Sequence, residues 1–227
     1  GNVLQCFCTF CALKHRFEQK PWWEWPKEYR HYDASAVNQY INTHHKFVDF
    51  FAFEQWILHQ QWQDLHTYAK SKQVHIIGDI PLYVGTDSAI VWQNRELFEW
   101  DNAIDCPQYV AGVPPDYFSS NGQLWGNPVY NWAYHVNTHF AWWIERIRKN
   151  LAWFDLVRID HFRGLYDYWR IPYGAETAKN GEWCSGPQYK FFDALKEHGP
   201  HMPFILEDLG DLNDNVRSFQ KNLGLPG

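Results

Sequence analysis

The sequence contains no long apolar run, which argues against a membrane-spanning helix. It also contains no basic stripe: 20 Lys and Arg stand against 26 Asp and Glu, for a net charge of −6, so the charge pattern does not indicate a nucleic-acid partner. The first residues lack the basic and apolar segments of a signal peptide. They also lack an initiator methionine, and we therefore expect the sequence to begin within a longer protein.

Cysteine is scarce and unevenly placed, with five residues among the 227. An odd number with this spread does not fit a disulfide framework. Cys8 and Cys11 have the spacing of a metal or redox site, but the apolar residues around them indicate a packed helix in which cysteine is a small buried hydrophobe. Reduced thiols and the lack of an export signal predict a cytoplasmic protein, or a plastid protein if a transit peptide precedes this sequence.

Aromatic residues, by contrast, are abundant: they make up 19% of the chain, with 14 Trp. Most of them suit a hydrophobic core, and 227 residues are enough to build one. Flat aromatic rings also form platforms for sugar rings. The aromatic residues in Gly- and Pro-rich segments need an explanation other than core packing, because loops lie at the surface.

Helical and strand periodicities alternate along the chain in the order typical of α/β proteins. Apolar residues at helical spacing predict helices over 4–20, 47–71, 138–151 and 187–198, and we expect polar helices over about 27–44 and 213–222. Short apolar runs predict strands over 74–81, 154–160 and 203–210. Two long segments remain, both rich in turn residues. We predict that 84–132 is loop-rich and is either functional or a subdomain, and that 164–185 is a turn-rich connection.

Each of the three predicted strands ends in a carboxylate: Asp79, Asp160 and Glu207. In a (β/α)8 barrel the active site lies where the strand ends meet the following loops, and several strands contribute catalytic groups. A doubly wound sheet is the alternative, but its glycine-rich phosphate loop is absent. The pattern therefore favours a barrel of the α/β class.

Two of these carboxylates suit glycosidic chemistry, in which one attacks the anomeric carbon and the other protonates the leaving oxygen. Arg158 shares a strand face with Asp160, and its charge favours the ionised carboxylate of a nucleophile. The apolar residues before Glu207 favour the protonated form that a general acid needs. The alternative is that these groups are structural ion pairs that cap helices, and spacing alone leaves both interpretations open.

Five segments of the sequence together resemble one enzyme family. They are Ile77–Val84 (IGDIPLYV), Gly112–Ser119 (GVPPDYFS), Gly122–Pro128 (GQLWGNP), Val157–Gly164 (VRIDHFRG) and Glu207–Gly210 (EDLG). In this order they are similar to the motifs of glycoside hydrolase family 77, the 4-α-glucanotransferases, also called amylomaltases or disproportionating enzymes.

The resemblance implies a partial (β/α)8 TIM barrel with inserted subdomain segments. It implies retaining transfer of an α-1,4-glucan segment to the 4-hydroxyl of another glucan or of glucose, without a metal or organic cofactor. Asp160 matches the nucleophile of the family, and Glu207 matches its general acid/base. Arg158 matches the arginine that supports the nucleophile, and Asp79 matches a carboxylate with a donor-site or structural role.

The same resemblance assigns α-1,4-glucans or maltooligosaccharides as the partners that this site binds. Tyr117, Phe118 and Trp125 match an aromatic loop that closes over the glucan. His161, next to the matched nucleophile, either touches substrate or only packs the strand end. Asp116 either bonds sugar hydroxyls or caps its own loop.

Other charged residues have simpler interpretations. We expect Arg163 to form a structural ion pair, and Asp208 to point to the opposite side of its strand from Glu207. The histidines could suggest a metal site, but they lack supporting carboxylate or Cys spacing, and we expect a solvated helix face instead; they are His31, His44, His45 and His66.

The resemblance assigns residues 1–227 to part of one catalytic barrel. We expect helices over about 1–70 and barrel strands over about 71–227, with an aromatic loop insertion over about 85–132. A third essential carboxylate of the family, an Asp in a His-Asp motif, has no counterpart here, so we expect the 227 residues alone to be unstable or inactive. An α-glucan hydrolase and a non-catalytic glucan-binding protein remain as alternatives.

Overall fold

The computed structural model describes residues 3–199, 203–209 and 212–227. The chain forms two compact units. One comprises the residues up to Leu65 together with Val84–Arg95, and the other comprises His66–Tyr83 and the residues from Glu96 onward. Among the described residues, none of the helices combines the length and the apolar character needed to cross a bilayer.

The helices account for most of the regular structure in the first half of the chain. In chain order they are α1 (Val3–Arg16), α2 (Lys27–Arg30), α3 (Ala34–Thr43), α4 (His45–Ser71), α5 (Ala89–Gln93), α6 (Trp132–Asn137), α7 (Ala141–Trp153), α8 (Tyr189–Glu197) and α9 (Asp214–Leu223).

The strands are short and lie in the second unit. They are β1 (Ile77–Ile80), β2 (Trp100–Asp101), β3 (Cys106–Pro107), β4 (Tyr109–Val113), β5 (Gln123–Pro128), β6 (Leu156–Ile159), β7 (Asp167–Pro172), β8 (Glu182–Ser185) and β9 (Phe204–Leu206). Within the described part of the chain, β1, β6 and β9 form a parallel sheet in the order β1-β6-β9. An antiparallel sheet has the order β5-β4-β7-β8, and β2 pairs with β3.

The first unit is built on buried tryptophans. Trp22 and Trp92 are fully buried, and their indole nitrogens donate to the carbonyls of Thr86 (2.8 Å) and Tyr29 (2.7 Å). Each ring therefore has both apolar packing and a partner for its polar edge.

The cysteines of α1 belong to the packed interior of the same unit. Cys6 and Cys8 are buried, and Cys11 is partly buried. Burial raises the pKa of the Cys6 thiol to about 12 and that of Cys11 to about 11, which keeps both thiols protonated at neutral pH. These cysteines pack as small hydrophobes, as the apolar pattern predicted.

In the second unit the parallel sheet is anchored at the start of its strands. Asp155 accepts a hydrogen bond from the amide of Ile76 (2.9 Å) and contacts Nε2 of His66 at 3.0 Å. The hydrogen bond from the Ile76 amide, followed by the His66 contact, lowers the pKa of Asp155 to about 2. Gly78 lies against the ring of Phe154, which a Cβ atom at this position would approach to 2.2 Å, so only glycine fits in this part of β1.

Most of the predicted helices are confirmed. The helices predicted over 4–20, 47–71, 187–198 and 213–222 correspond to α1, α4, α8 and α9, and the one over 138–151 corresponds to α7. The helical prediction over 27–44 is confirmed for most of the segment, but the segment forms two helices because the chain breaks between α2 and α3. Tyr32 has a left-handed φ of 53°, and the side chain of Asp33 caps α3 by accepting from the amide of Ala36 at 2.9 Å.

The three predicted parallel strands are confirmed with shorter bounds, and residue 210 of the third lies outside the described residues. The segments predicted to be rich in loops and turns contain regular structure that was not predicted: 84–132 holds α5 and β2 to β5, and 164–185 holds β7 and β8. These strands are short, contain Gly and Pro, and gain their partners from distant sequence, as when β4 pairs with β7. A local pattern carries little information about such pairing.

Candidate active site

The register of the parallel sheet places the predicted carboxylates side by side. Asp79 on β1 pairs with Arg158 on β6, and Ile159 pairs with Leu206 on β9. Asp160 and Glu207 therefore follow the last paired residues of neighbouring strands. Their amides continue the ladder, since Asp160 donates to the carbonyl of Ile80 and Glu207 to that of Ile159, both at 3.0 Å.

Arg158 bridges two of these carboxylates. Its Nη1 lies 2.8 Å from Oδ1 of Asp79 and 2.9 Å from Oδ1 of Asp160. We call these three residues the Arg158 cluster. The hydrogen bond to Asp79, followed by the charges of both carboxylates, raises the pKa of Arg158 above its ordinary value. The side chain of Asp160 is 41% exposed, so a molecule from solvent can reach it.

Glu207 is held by a backbone amide at the end of the neighbouring strand. Its Oε2 accepts a hydrogen bond from the amide of His161 at 2.6 Å. His161 has left-handed backbone angles, with φ 50° and ψ 45°, and this turn takes the chain out of β6. The two candidate catalytic carboxylates are therefore joined through one peptide group, that between Asp160 and His161.

The imidazole of His161 packs in an aromatic corner. It lies edge-on to the ring of Trp125 at 4.8 Å between centroids, and 6.0 Å from the ring of Tyr83. Burial lowers its pKa to about 4, with the charge of Asp160 opposing the shift, so the ring is neutral at physiological pH. Gly164 makes this fit possible, because a Cβ atom there would lie 2.4 Å from Leu82 and 3.1 Å from the imidazole.

The predicted aromatic loop divides into two parts. Trp125 is 38% exposed and reaches the site through its contact with His161. Tyr117 and Phe118 are 96% and 93% exposed and pack edge to face on each other at 5.5 Å, so they face solvent rather than the carboxylates. Asp116 caps this loop, because its Oδ1 accepts from the amides of Phe118 (2.9 Å) and Ser119 (2.7 Å).

Two residues of the site region were given no role from the sequence. Tyr83 is buried between Tyr130, with which it stacks at 6.0 Å, and His161, and burial raises its pKa well above the ordinary value. Arg146 on α7 donates to the carbonyl of Pro81 at 2.7 Å and so holds the turn after β1. Tyr83 lies within the segment Ile77–Val84, which carries the family resemblance; Arg146 had no local signal.

Among the other polar residues, the solvated helix face expected for the histidines is wrong for His66, which contacts Asp155 at 3.0 Å with its side chain only 14% exposed. Arg163 pairs with Asp167 at 2.8 Å and covers the ring of Trp183 at 4.1 Å, which confirms a structural ion pair. Asp208 is exposed, whereas Glu207 is partly buried. Over residues 3–199, 203–209 and 212–227, no group of three or more His, Cys, Asp or Glu is arranged to hold a metal ion.

Comparison with protein families gives a match over residues 1–227 to the glycoside hydrolase family 77 model, described as 4-alpha-glucanotransferase. The chain is 43% identical over 224 residues to the 4-alpha-glucanotransferase of Aquifex aeolicus, covering 99% of this chain and 46% of that protein. It is 41% identical to the 4-alpha-glucanotransferase of Thermus thermophilus, with 99% and 45% covered. The chain therefore spans about half the length of these relatives.

The fold matches a solved amylomaltase from Streptococcus agalactiae, determined in complex with acarbose. The TM-score is 0.94 at 38% sequence identity, and the match covers 99% of this chain and 45% of that one. An amylomaltase from Corynebacterium glutamicum has the same fold, with a TM-score of 0.75 at 18% identity, over 99% of this chain and 29% of that one.

Proposed function

Since this chain belongs to glycoside hydrolase family 77, we propose that the protein it forms is a 4-α-glucanotransferase, with the site at the ends of β6 and β9. The observation that carries the proposal is the pairing of two differently held carboxylates on neighbouring strands. Asp160 contacts Arg158 at 2.9 Å, whereas Glu207 accepts from the amide of His161 at 2.6 Å. Because the chain spans about half of its relatives, the activity is proposed for the whole protein.

In the first step Asp160 is the nucleophile. Its carboxylate attacks the anomeric carbon of the donor glucan while Glu207 gives a proton to the departing glycosidic oxygen. The guanidinium of Arg158, 2.9 Å from Oδ1 of Asp160, orients the attacking carboxylate. The products are a glycosyl ester on Asp160 and a free glucan or glucose with a new 4-hydroxyl end.

In the second step the ionised Glu207 takes the proton from the 4-hydroxyl of an acceptor, whose oxygen attacks the anomeric carbon and displaces Asp160. Two inversions give net retention. An acceptor sugar rather than water completes the reaction when aromatic side chains exclude water. We assign this role to Trp125, which lies beside His161, and to the exposed rings of Tyr117 and Phe118.

We further propose that the parallel sheet is part of a (β/α)8 barrel with inserted segments. Strands β1, β6 and β9 are parallel neighbours in chain order, and α7 and α8 lie between them in sequence. The carboxylates stand at the carboxyl ends of the strands, where such barrels carry their active sites. The antiparallel sheet of β4, β5, β7 and β8 is an insertion that presents the aromatic loop.

Maltotriose tests this function directly in the full-length protein. Transfer converts it to a ladder of longer oligosaccharides plus glucose, whereas a hydrolase of the same clan yields only glucose and maltose. Binding without turnover would instead favour a non-catalytic glucan-binding protein. The names of plant relatives include "chloroplastic/amyloplastic", and we propose a plastid or cytoplasmic location for the protein.

Substitution of the nucleophile tests the site itself. We expect Asp160→Asn to lower transfer by at least about 10⁴-fold while glucan binding persists. Asp208→Asn is the matched control, because Asp208 is an exposed carboxylate next to Glu207 in sequence, and we expect it to leave turnover within about 3-fold. Unchanged turnover in Asp160→Asn would refute the assignment.

A further inference from the structure

We propose that the peptide group between Asp160 and His161 is a positioning element for the general acid. Its N–H holds Oε2 of Glu207 at 2.6 Å, so Oε1 is the oxygen that carries and exchanges the catalytic proton. This inference rests on the proposed function and deepens it, because it gives the backbone of His161, rather than its ring, a role in the reaction.

The strand ladder explains why this amide is available. The amides of Asp160 and Glu207 both donate to backbone carbonyls of the neighbouring strands, at 3.0 Å each. Amides alternate in direction along a strand: the amide of Val157 donates to Pro203, beside β9, and the amide of Asp160 donates to Ile80 in β1. The amide of His161 therefore points toward β9, where it meets the side chain of Glu207 instead of a carbonyl, and the chain then turns at His161 with φ 50° and ψ 45°.

The left-handed turn is maintained by the residues that follow it. Phe162 and Leu165 are fully buried in the short 3-10 helix Phe162–Leu165, and the amide of Gly164 donates to the carbonyl of His161 at 3.0 Å. Histidine tolerates the left-handed region better than most residues, and a β-branched residue tolerates it poorly. A local conformation that is unfavourable alone persists where its surroundings determine it.

The chemical consequence concerns the two oxygens of Glu207. An oxygen that accepts a short N–H bond is a poor place for a proton, so the neutral acid carries its hydrogen on Oε1. In the first step this proton passes to the glycosidic oxygen as the bond from that oxygen to the anomeric carbon breaks. In the second step Oε1 receives the proton of the acceptor hydroxyl, while Oε2 keeps its amide partner.

An ester in place of the Asp160–His161 amide tests this proposal in the full-length protein, because it removes the N–H and keeps every side chain. Two donors are compared: maltotriose, whose leaving sugar needs a proton, and α-maltosyl fluoride, whose fluoride leaves without one. We expect the ester to transfer from maltotriose about 10²-fold more slowly than the parent, and to differ from the parent by less than about 5-fold on the fluoride.

Normal transfer from maltotriose by the ester would overturn the proposal, as would a loss that is the same for the fluoride and for maltotriose. Glu207→Gln provides the reference for a lost acid. If Glu207→Gln transfers normally from maltotriose, the proposed function fails; if it is impaired only there while the ester transfers normally, only the positioning role fails.

His161→Gly is the control for the side chain, because it removes the imidazole but keeps the N–H and the left-handed turn. We expect any loss in this variant to be the same on maltotriose and on the fluoride. A loss on maltotriose alone would give the role to the ring and overturn the proposal.

Discussion

Two arginines of the second unit each bridge two carboxylates, and they lie in different sheets. Arg158 joins Asp79 and Asp160 at the end of the parallel sheet. Arg170 on β7 joins Glu99, at 2.8 Å from Nη1, and Glu182, at 2.7 Å from Nη2. We call Arg170, Glu99 and Glu182 the Arg170 cluster. The two clusters have the same charges and similar distances.

Their surroundings differ. Arg170 is paired in register with Glu182 on β8, its Nε also donates to that carboxylate at 2.9 Å, and the ring of Tyr109 lies 4.0 Å from its guanidinium carbon. Each nitrogen of this guanidinium therefore has a carboxylate partner. The Arg158 cluster lies where strands end, and its carboxylates are 60% and 41% exposed. Placement, rather than charge composition, separates a candidate site from a structural ion pair.

The largest expected effect comes from removing the arginine of the Arg158 cluster. Arg158→Met leaves Asp79 and Asp160 without their shared positive charge, and we expect transfer from maltotriose to fall by about 10²-fold or more. The free energy of unfolding should change by less than about 1 kcal/mol, because the pairs are partly exposed. Steady-state kinetics and urea denaturation of the full-length protein measure the two quantities. A large loss of stability with normal kinetics would contradict the comparison.

His135 belongs to neither cluster, and its titration gives a baseline for how the free energy of unfolding depends on pH. His135 is fully buried, its Nε2 faces the carbonyl of Leu97 at 3.1 Å, and burial lowers its pKa to about 4. Below the ordinary His pKa of about 6.5 the unfolded chain binds a proton that the folded chain refuses. Stability is therefore complete above pH 6.5, and it falls by up to about 3 kcal/mol as pH drops from 6.5 to 4.

Urea denaturation at several pH values checks this expectation, with His135→Gln as the variant that cannot titrate. The difference in unfolding free energy between the two proteins should shrink as the pH falls through this window. A constant difference would show that His135 does not contribute. The same curves supply the pH baseline for variants of both clusters.

Substitutions in the Arg170 cluster should change the free energy of unfolding and leave the transfer rate nearly unchanged. Arg170→Met leaves Glu99, whose side chain is 20% exposed, without its positive partner, and we expect a loss of about 2 kcal/mol in unfolding free energy. Transfer from maltotriose should stay within about 3-fold of the parent. A rate loss comparable to that of Arg158→Met would remove the distinction between the clusters.

The smallest effect is expected at Glu182, the more exposed carboxylate of the Arg170 cluster. Glu182 is 57% exposed, so Glu182→Gln should cost about 0.2–1 kcal/mol in denaturation experiments, and less at high salt. Asp79→Asn is the matching change in the Arg158 cluster. We expect it to affect transfer more than stability, and the reverse result would assign Asp79 a purely structural role.

The sequence predicted the parts of the fold that local patterns define. The long helix α4 and the strands β1, β6 and β9 follow from apolar spacing, and the i, i+2 relation of Arg158 and Asp160 indicated their shared face. The resemblance in five segments is confirmed by the family match over the whole chain. The antiparallel sheet was missed, because its short strands depend on partners that are distant in sequence.

The site divides in the same way. The sequence by itself determined which residue types stand at the strand ends: Asp79, Asp160 and Glu207, each directly after or within a short apolar run. Only the tertiary structure decided that Arg158 contacts two carboxylates, that the amide of His161 donates to Glu207, and that Arg170 pairs with Glu99. The physical reason is that hydrogen bonds and ion pairs act over about 3 Å, and residues 46 to 79 positions apart reach that distance only when strand pairing sets their register.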